Sequence, residues 1–166
     1  MDEFSTHQPV LKKALEVFNP SRILEHGCGD YSTPILAKDR ELSFTEHDSH
    51  WADHIMRDYN LTHVKYYPKN DLIGLSTKNV ELAFIDGMRT GRTPSINYCL
   101  TNNIPVILVH DFQLPYHYNY NSISLLPGYR LARFACLDSI DLRQTAVIWN
   151  TDENVLNWKV DCHKVV

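Results

Sequence analysis

Asp86, His110 and Asp111 are the side chains of this sequence best suited to chemistry. An imidazole accepts a proton near neutral pH, so His110 reads as a general base. Two carboxylates a few ångströms apart hold a hard divalent cation such as Mg2+, or orient a substrate, so Asp86 and Asp111 read as metal ligands or orienting groups. Carboxylates crowded together repel each other unless a cation joins them. Arg89 and Arg92 follow Asp86 in a polar, glycine-containing stretch, where a guanidinium can grip a substrate carboxylate or phosphate with two hydrogen bonds. Tyr116 lies in an aromatic segment and can stack on a sugar or ring. Each residue also has a plainer reading: strand-end carboxylates as helix caps, His110-Asp111 as a turn cap, the arginines as solvated charges.

A second constellation lies earlier, in Ile23-Leu24-Glu25-His26-Gly27-Cys28-Gly29-Asp30-Tyr31-Ser32-Thr33. It reads as an apolar strand entering a glycine turn that opens a helix at Ser32-Thr33. Gly27 and Gly29 lack a Cβ, so the backbone there can bend sharply and approach a ligand. The first N–H groups of the following helix then face that ligand. Glu25, Gly27, Gly29, Ser32 and Thr33 are the candidate cofactor-binding residues of this turn. Glu46 ends the next strand, where a carboxylate accepts hydrogen bonds from both ribose hydroxyls of a nucleoside. Asp48 or Ser49 is better placed to cap the helix that follows, which leaves Glu46 free. Trp51 fits the core of that helix.

These residues need strands to deliver them. Apolar spacing predicts a helix over 5–18, with Ser5 or Thr6 as its cap and a stop at Asn19-Pro20. Strands are expected at 22–26, 42–46, 63–67, 80–85 and 105–109, with helices near 32–39, 49–59 and 93–102 between them. Pro94 suits the first turn of the last of these. Two further strands, about 129–136 and 144–150, are joined by Asp138-Ser139-Ile140-Asp141 and must pair antiparallel. Alternating strands and helices give an α/β fold with a mostly parallel sheet covered on both faces. Ligands of such sheets bind beyond the carboxyl ends of the strands. That rim carries Glu25 to Gly29, Glu46, Asp86 and His110-Asp111.

The chain has 166 residues, 43% apolar and 22% charged, consistent with one soluble domain spanning 1–166. Net charge is -4, without a Lys/Arg run, so no nucleic acid is expected as partner. The four cysteines, Cys28, Cys99, Cys136 and Cys162, form no C-x-x-C pair and suit a reducing, cytoplasmic compartment. The polar start does not read as a signal peptide, and no apolar stretch is long enough to span a bilayer.

Taken in order, these motifs resemble class I S-adenosylmethionine-dependent methyltransferases over nearly the whole chain. Leu24-Glu25-His26-Gly27-Cys28-Gly29 looks like the acidic-x-Gly-x-Gly cofactor loop, Glu46 like the ribose-binding acid, and Phe84-Ile85-Asp86-Gly87 like the fourth-strand motif. The resemblance is nearest to the glucuronoxylan 4-O-methyltransferase-like polysaccharide methyltransferases. Gly29-Asp30-Tyr31-Ser32, Glu46-His47-Asp48-Ser49-His50-Trp51, Asp86-Gly87 with Gly91-Arg92, and Val106-Ile107-Leu108-Val109-His110-Asp111 carry it. His47 departs from the group, which tends to have a second acidic residue there. The resemblance implies a Rossmann-like sandwich with a seven-stranded sheet ending in an antiparallel hairpin, and S-adenosylmethionine as cofactor with Asp86 among its contacts. It also implies O-methylation of a small-molecule or sugar hydroxyl, with or without a metal. The fourth strand does not end in the Asn/Asp-Pro-Pro-aromatic signature of many amino-group methyltransferases. A nicotinamide-binding Rossmann protein lacks support from Gly27-x-Gly29-x-x-Ser32, where the third glycine is missing. A metal-dependent phosphohydrolase would need further histidines, and a cofactor-binding module without turnover is the remaining alternative.

Overall fold

The computed structural model describes residues 6–135, 142–160 and 163–165. The expected turn at 138–141, together with Ser5, Cys136 and Cys162, lies outside them. Helix α1 (Gln8–Phe18) has Pro9 in its first turn and buries Val10, Leu11, Ala14 and Leu15. It stops at Asn19, whose left-handed φ of 42° lets its N–H reach the Leu15 carbonyl. There follow β1 (Arg22–His26), α2 (Thr33–Ala37), β2 (Glu41–Thr45), α3 (Ser49–Asp58), β3 (Lys65–Tyr67) and β4 (Leu82–Ile85). Then come α4 (Arg89–Thr101), β5 (Val106–Val109), β6 (Arg130–Ala135), β7 (Gln144–Trp149) and β8 (His163–Val165).

The sheet runs β3-β2-β1-β4-β5-β7-β6-β8. The first five strands are parallel to their neighbours, and β7 enters antiparallel between β5 and β6. From β1 the chain moves outward to β2 and β3, then returns to place β4 on the other side. The crevice beyond the ends of β1 and β4 is therefore the place where such a sheet takes a ligand.

Side chains alternate across the sheet because the strand period is two. Ile23, Leu42, Phe44, Phe84 and Leu108 pack with α1, α2 and α3 on one face. Leu24, Ala83, Ile85 and Ile107 pack with α4 on the other. Burial on both faces explains the unbroken apolar runs of β4 and β5.

Two differences from the sequence reading matter. The sheet has an eighth strand, β8, at its edge beyond β6. The stretch 88–92 is not a loop: α4 begins at Arg89, and Pro94 lies inside it rather than in its first turn. Gly91 permits that early start, since a Cβ there would sit 1.6 Å from the Asn70 carbonyl oxygen, so only glycine lets the helix press against the 70s segment. Residues 120–122 form a 3-10 turn.

Candidate active site

The ends of the central strands are locked together by backbone hydrogen bonds: Gly27 N–H to the Thr45 carbonyl (2.8 Å), Asp86 N–H to His26 (2.8 Å) and His110 N–H to Ile85 (3.1 Å). They open onto a cavity of about 550 Å³. One wall is the glycine turn, with Gly27, Gly29 and Ser32; the opposite wall holds Asp86, His110 and Asp111. The two constellations read from the sequence therefore share one chamber.

The two glycines of the turn differ in their duties. Gly27 has φ +82°, and a Cβ there would meet the Gly87 Cα at 2.2 Å, so its bareness is a packing requirement. At Gly29 the nearest atom to such a Cβ is Ser32 Oγ at 3.8 Å, so packing does not require glycine. The turn is tied from within by Gly29 N–H to Thr33 Oγ1 (2.9 Å) and by the Ser32 hydroxyl to Glu25 Oε1 (2.6 Å). Glu25 itself is fully buried behind the turn and is not on the cavity wall. Burial pushes its pKa up to about 8 despite the Ser32 and Thr33 hydrogen bonds. Its second oxygen, Oε2, has no partner. Thr33 is likewise buried and acts by holding Gly29.

Glu46 stands at the end of β2 but does not line the cavity. Its Oε1 accepts from the Asp48 N–H (3.0 Å) and lies 2.6 Å from His47 Nδ1. Asp48 is the cap of α3, accepting from the N–H groups of His50 and Trp51. Trp51 is on the cavity rim rather than in the core, 37% exposed, with its indole N–H on the Cys28 carbonyl at 2.8 Å.

On the other wall, Arg92 is the organising charge. It is 5% exposed, so it is not a solvated grip on substrate. Its Nε donates to the Gly87 carbonyl (2.7 Å), Nη1 to the His110 carbonyl (2.8 Å) and Nη2 to Asp86 Oδ1 (2.9 Å). Nη2 also lies 3.6 Å from Asp111 Oδ2, and the guanidinium covers the Tyr118 ring at 4.1 Å. Arg92 thus sits between the two carboxylates read as Mg2+ ligands and neutralises them itself. Arg143 adds a second cation, 3.1 Å from Asp111 Oδ1.

Asp86 is held well below the usual carboxylate range: burial works to raise it, but His110, Arg92 and His7 prevail. Burial likewise works to lower His110, yet Asp86, 3.0 Å from its Nδ1, and Asp111 leave its pKa raised. The other nitrogen of His110, Nε2, is 2.9 Å from the Thr6 hydroxyl. His110 is therefore gripped at both ends, and Asp111 adopts a left-handed φ of 56° to turn its carboxylate inward.

Two predicted site residues lie elsewhere. Arg89 lines a separate surface pocket with Thr93, and Tyr116 is 86% exposed. The cavity also contains Asp30 and Tyr31, which the sequence showed only as part of the glycine-turn motif, and His7 and Arg143, which it did not single out. His7 falls in the expected helix 5–18 but forms no motif with other site residues, and Arg143 follows the turn outside the described residues. His7 is 2% exposed, its ring 4.8 Å from that of His110, and burial lowers its pKa to about 4.

Comparison with solved structures places this architecture in the class I methyltransferase fold. The chain superposes on an rRNA methylase from Streptococcus thermophilus with a TM-score of 0.64 at 12% identity, covering 92% of this chain and 99% of the other. The N-methyltransferase NodS from Bradyrhizobium japonicum WM9, bound to S-adenosyl-L-homocysteine, also gives 0.64, at 13% identity over 92% and 90% of the two chains. An RNA methyltransferase from Salinibacter ruber, again with S-adenosyl-L-homocysteine, gives 0.52 at 13% identity over 89% and 94%. The sequence matches no protein-family model and no curated protein. Among the described residues no helix is long and apolar enough to cross a membrane.

Proposed function

We propose that the protein is an S-adenosylmethionine-dependent methyltransferase acting on a hydroxyl of a small molecule or saccharide. The observation that carries this reading is the single cavity shared by the glycine turn and the Asp86-His110-Asp111 wall. Its volume suits a small ligand. Gly29 is bare although the fold does not require it, which fits a turn that a ligand approaches closely. Gly27, Gly29 and Ser32 would hold the cofactor, with Trp51 on the rim beside them. The sulfonium supplies a methyl group activated for attack by an oxygen nucleophile.

The chain must align that oxygen and remove its proton. Alignment supplies much of the rate. Asp86 fixes the His110 ring through Nδ1, which leaves Nε2 to receive a proton by way of the Thr6 hydroxyl. Arg92 holds Asp86 ionised and so keeps the ring oriented. A positioned base of this kind is worth roughly 10²–10⁴ in rate. The hydroxyl preference rests on this base and on Asp86-Gly87 in place of the amino-group signature. The net charge of -4 argues against a nucleic-acid acceptor.

Calorimetric titration with S-adenosylmethionine, S-adenosylhomocysteine and NAD tests the cofactor. Binding of the first two without the third is expected, and the reverse overturns the reading. Release of S-adenosylhomocysteine over a panel of uronic acids, neutral sugars, phenols, amines and RNA tests the acceptor. Turnover confined to amines or RNA would refute O-methylation.

A further inference from the structure

We propose that His7, Asp86 and His110 form a site for a divalent first-row transition metal, which shares Asp86 with the Asp86/Asp111 pair but not Asp111. One ligand atom from each of the three lies within 4.8 Å of the others. His7 Nδ1 is buried and has no hydrogen-bond partner among the described residues. His110 Nδ1 and Asp86 Oδ1 are 3.0 Å apart. Two atoms each bonded to a metal at about 2.1 Å, at angles of about 90–109°, lie about 3.0–3.4 Å apart. The metal would thus stand where a proton is now shared.

The far side of each imidazole supports the same assignment. A metal-bound histidine donates its other N–H to an oxygen, which fixes the ring. His7 Nε2 lies 3.4 Å from the Tyr31 carbonyl, and His110 Nε2 lies 2.9 Å from Thr6 Oγ1. In both rings the Nδ1 atom then remains for the metal; with the ion bound, His110 keeps its proton on Nε2 and is not the base, so the metal-bound and base forms are alternative states of one ring. The Tyr31 carbonyl is itself pinned by the Gln8 amide at 3.1 Å.

Ligand type selects the ion. Two imidazoles and one carboxylate suit zinc, cobalt or iron, whereas Mg2+ wants oxygen ligands and waters. Arg92, 2.9 Å from Asp86 Oδ1, opposes a dication held by charge alone. The neutral nitrogens must then supply the affinity, which weighs further against Mg2+.

The probes are Co2+ and Zn2+ alone, added to the full chain. Co2+ should bind at one per chain and develop visible d–d bands, Zn2+ should displace it, and Mg2+ should not. H7Q should weaken Co2+ binding at least tenfold. T6V, which removes the oxygen behind His110, should weaken it by roughly 10–100-fold. H54Q, at an exposed helix position, should change nothing. Circular dichroism checks that each variant is folded, and anomalous diffraction at the metal edge locates the ion. No stoichiometric binding to the wild type, unchanged affinity in folded H7Q, or an anomalous peak away from His7 would each overturn the assignment. S-adenosylhomocysteine titration of the same samples separates this proposal from the methyltransferase reading, since either can fail alone.

Discussion

Replacing Glu25 with Gln tests whether a buried acid behind the glycine turn stays protonated in the native protein. The carboxyl is fully buried, and its pKa stands at about 8 against an ordinary 4.5. A pKa raised by folding means that stability from this group is complete below about 4.5. It is lost as pH climbs through about 8. The whole interval is worth at most about 5 kcal/mol. In E25Q the amide oxygen can still accept from Ser32, while the NH2 takes the place of an oxygen that already lacks a partner. That leaves a pH-independent cost of about 1–3 kcal/mol. The two effects separate in urea unfolding at pH 5, 7 and 9. At pH 5 the wild type should be the more stable. Its advantage should shrink with pH and reverse by pH 9, because only the wild type must ionise a carboxyl in a dry site. Histidine contributions cancel in the difference between the two proteins. Parallel stability curves across this range would show that Glu25 is ionised throughout, and a neutral acid behind the turn would be ruled out.

Four further outcomes follow from the same geometry, and a fifth concerns acid stability. Gly27→Ala should cost more than about 3 kcal/mol in urea unfolding, because its Cβ meets backbone at 2.2 Å and its φ is +82°. Gly29→Ala should stay within about 1 kcal/mol of wild type yet lose S-adenosylhomocysteine affinity; normal affinity would remove the ligand from that turn. Arg92→Lys keeps one charge but cannot serve Gly87, His110 and Asp86 together, so it should lose about 2–4 kcal/mol by the same unfolding assay. His110→Gln should lower kcat on a hydroxyl acceptor by roughly 10²–10⁴ and leave cofactor affinity intact; loss of affinity as severe as in Gly29→Ala would refute its role. His26 is buried, and burial lowers its pKa to about 4. Its share of stability is complete above the ordinary 6.5 and lost as pH falls through about 4, so His26→Gln should flatten the acid limb of a thermal denaturation series.

What the sequence disclosed was whatever depends on local pattern. Strand β1 spans the expected 22–26 because Pro20 and Gly27 bracket an apolar run that has no other way to be buried. The glycine turn and the acid-bearing strand ends were visible for the same reason. Arg92 was misjudged because its partners include the backbone carbonyls of Gly87 and His110, which carry no sequence signature. Both readings, a grip on substrate and a solvated charge, assumed an accessible guanidinium, because arginine is seldom fully buried. Gly91 suggested a loop and Pro94 a helix beginning near 93, whereas Gly91 is the contact that admits the earlier start at Arg89. His7 was invisible for a different reason: it lies in the expected helix 5–18, where one histidine carries no mark of a site, and only the packing of α1 carries it to the far end of β5. Charge tells the same story at the level of the site. The sequence shows carboxylates converging on one rim and requires a cation among them. It does not say whether that cation is an ion from solution or a guanidinium from the chain. The chain itself supplies Arg92 to the carboxylate pair, so charge alone calls for no external ion, and one bound at Asp86 would have to be held by the nitrogens of His7 and His110, as proposed above.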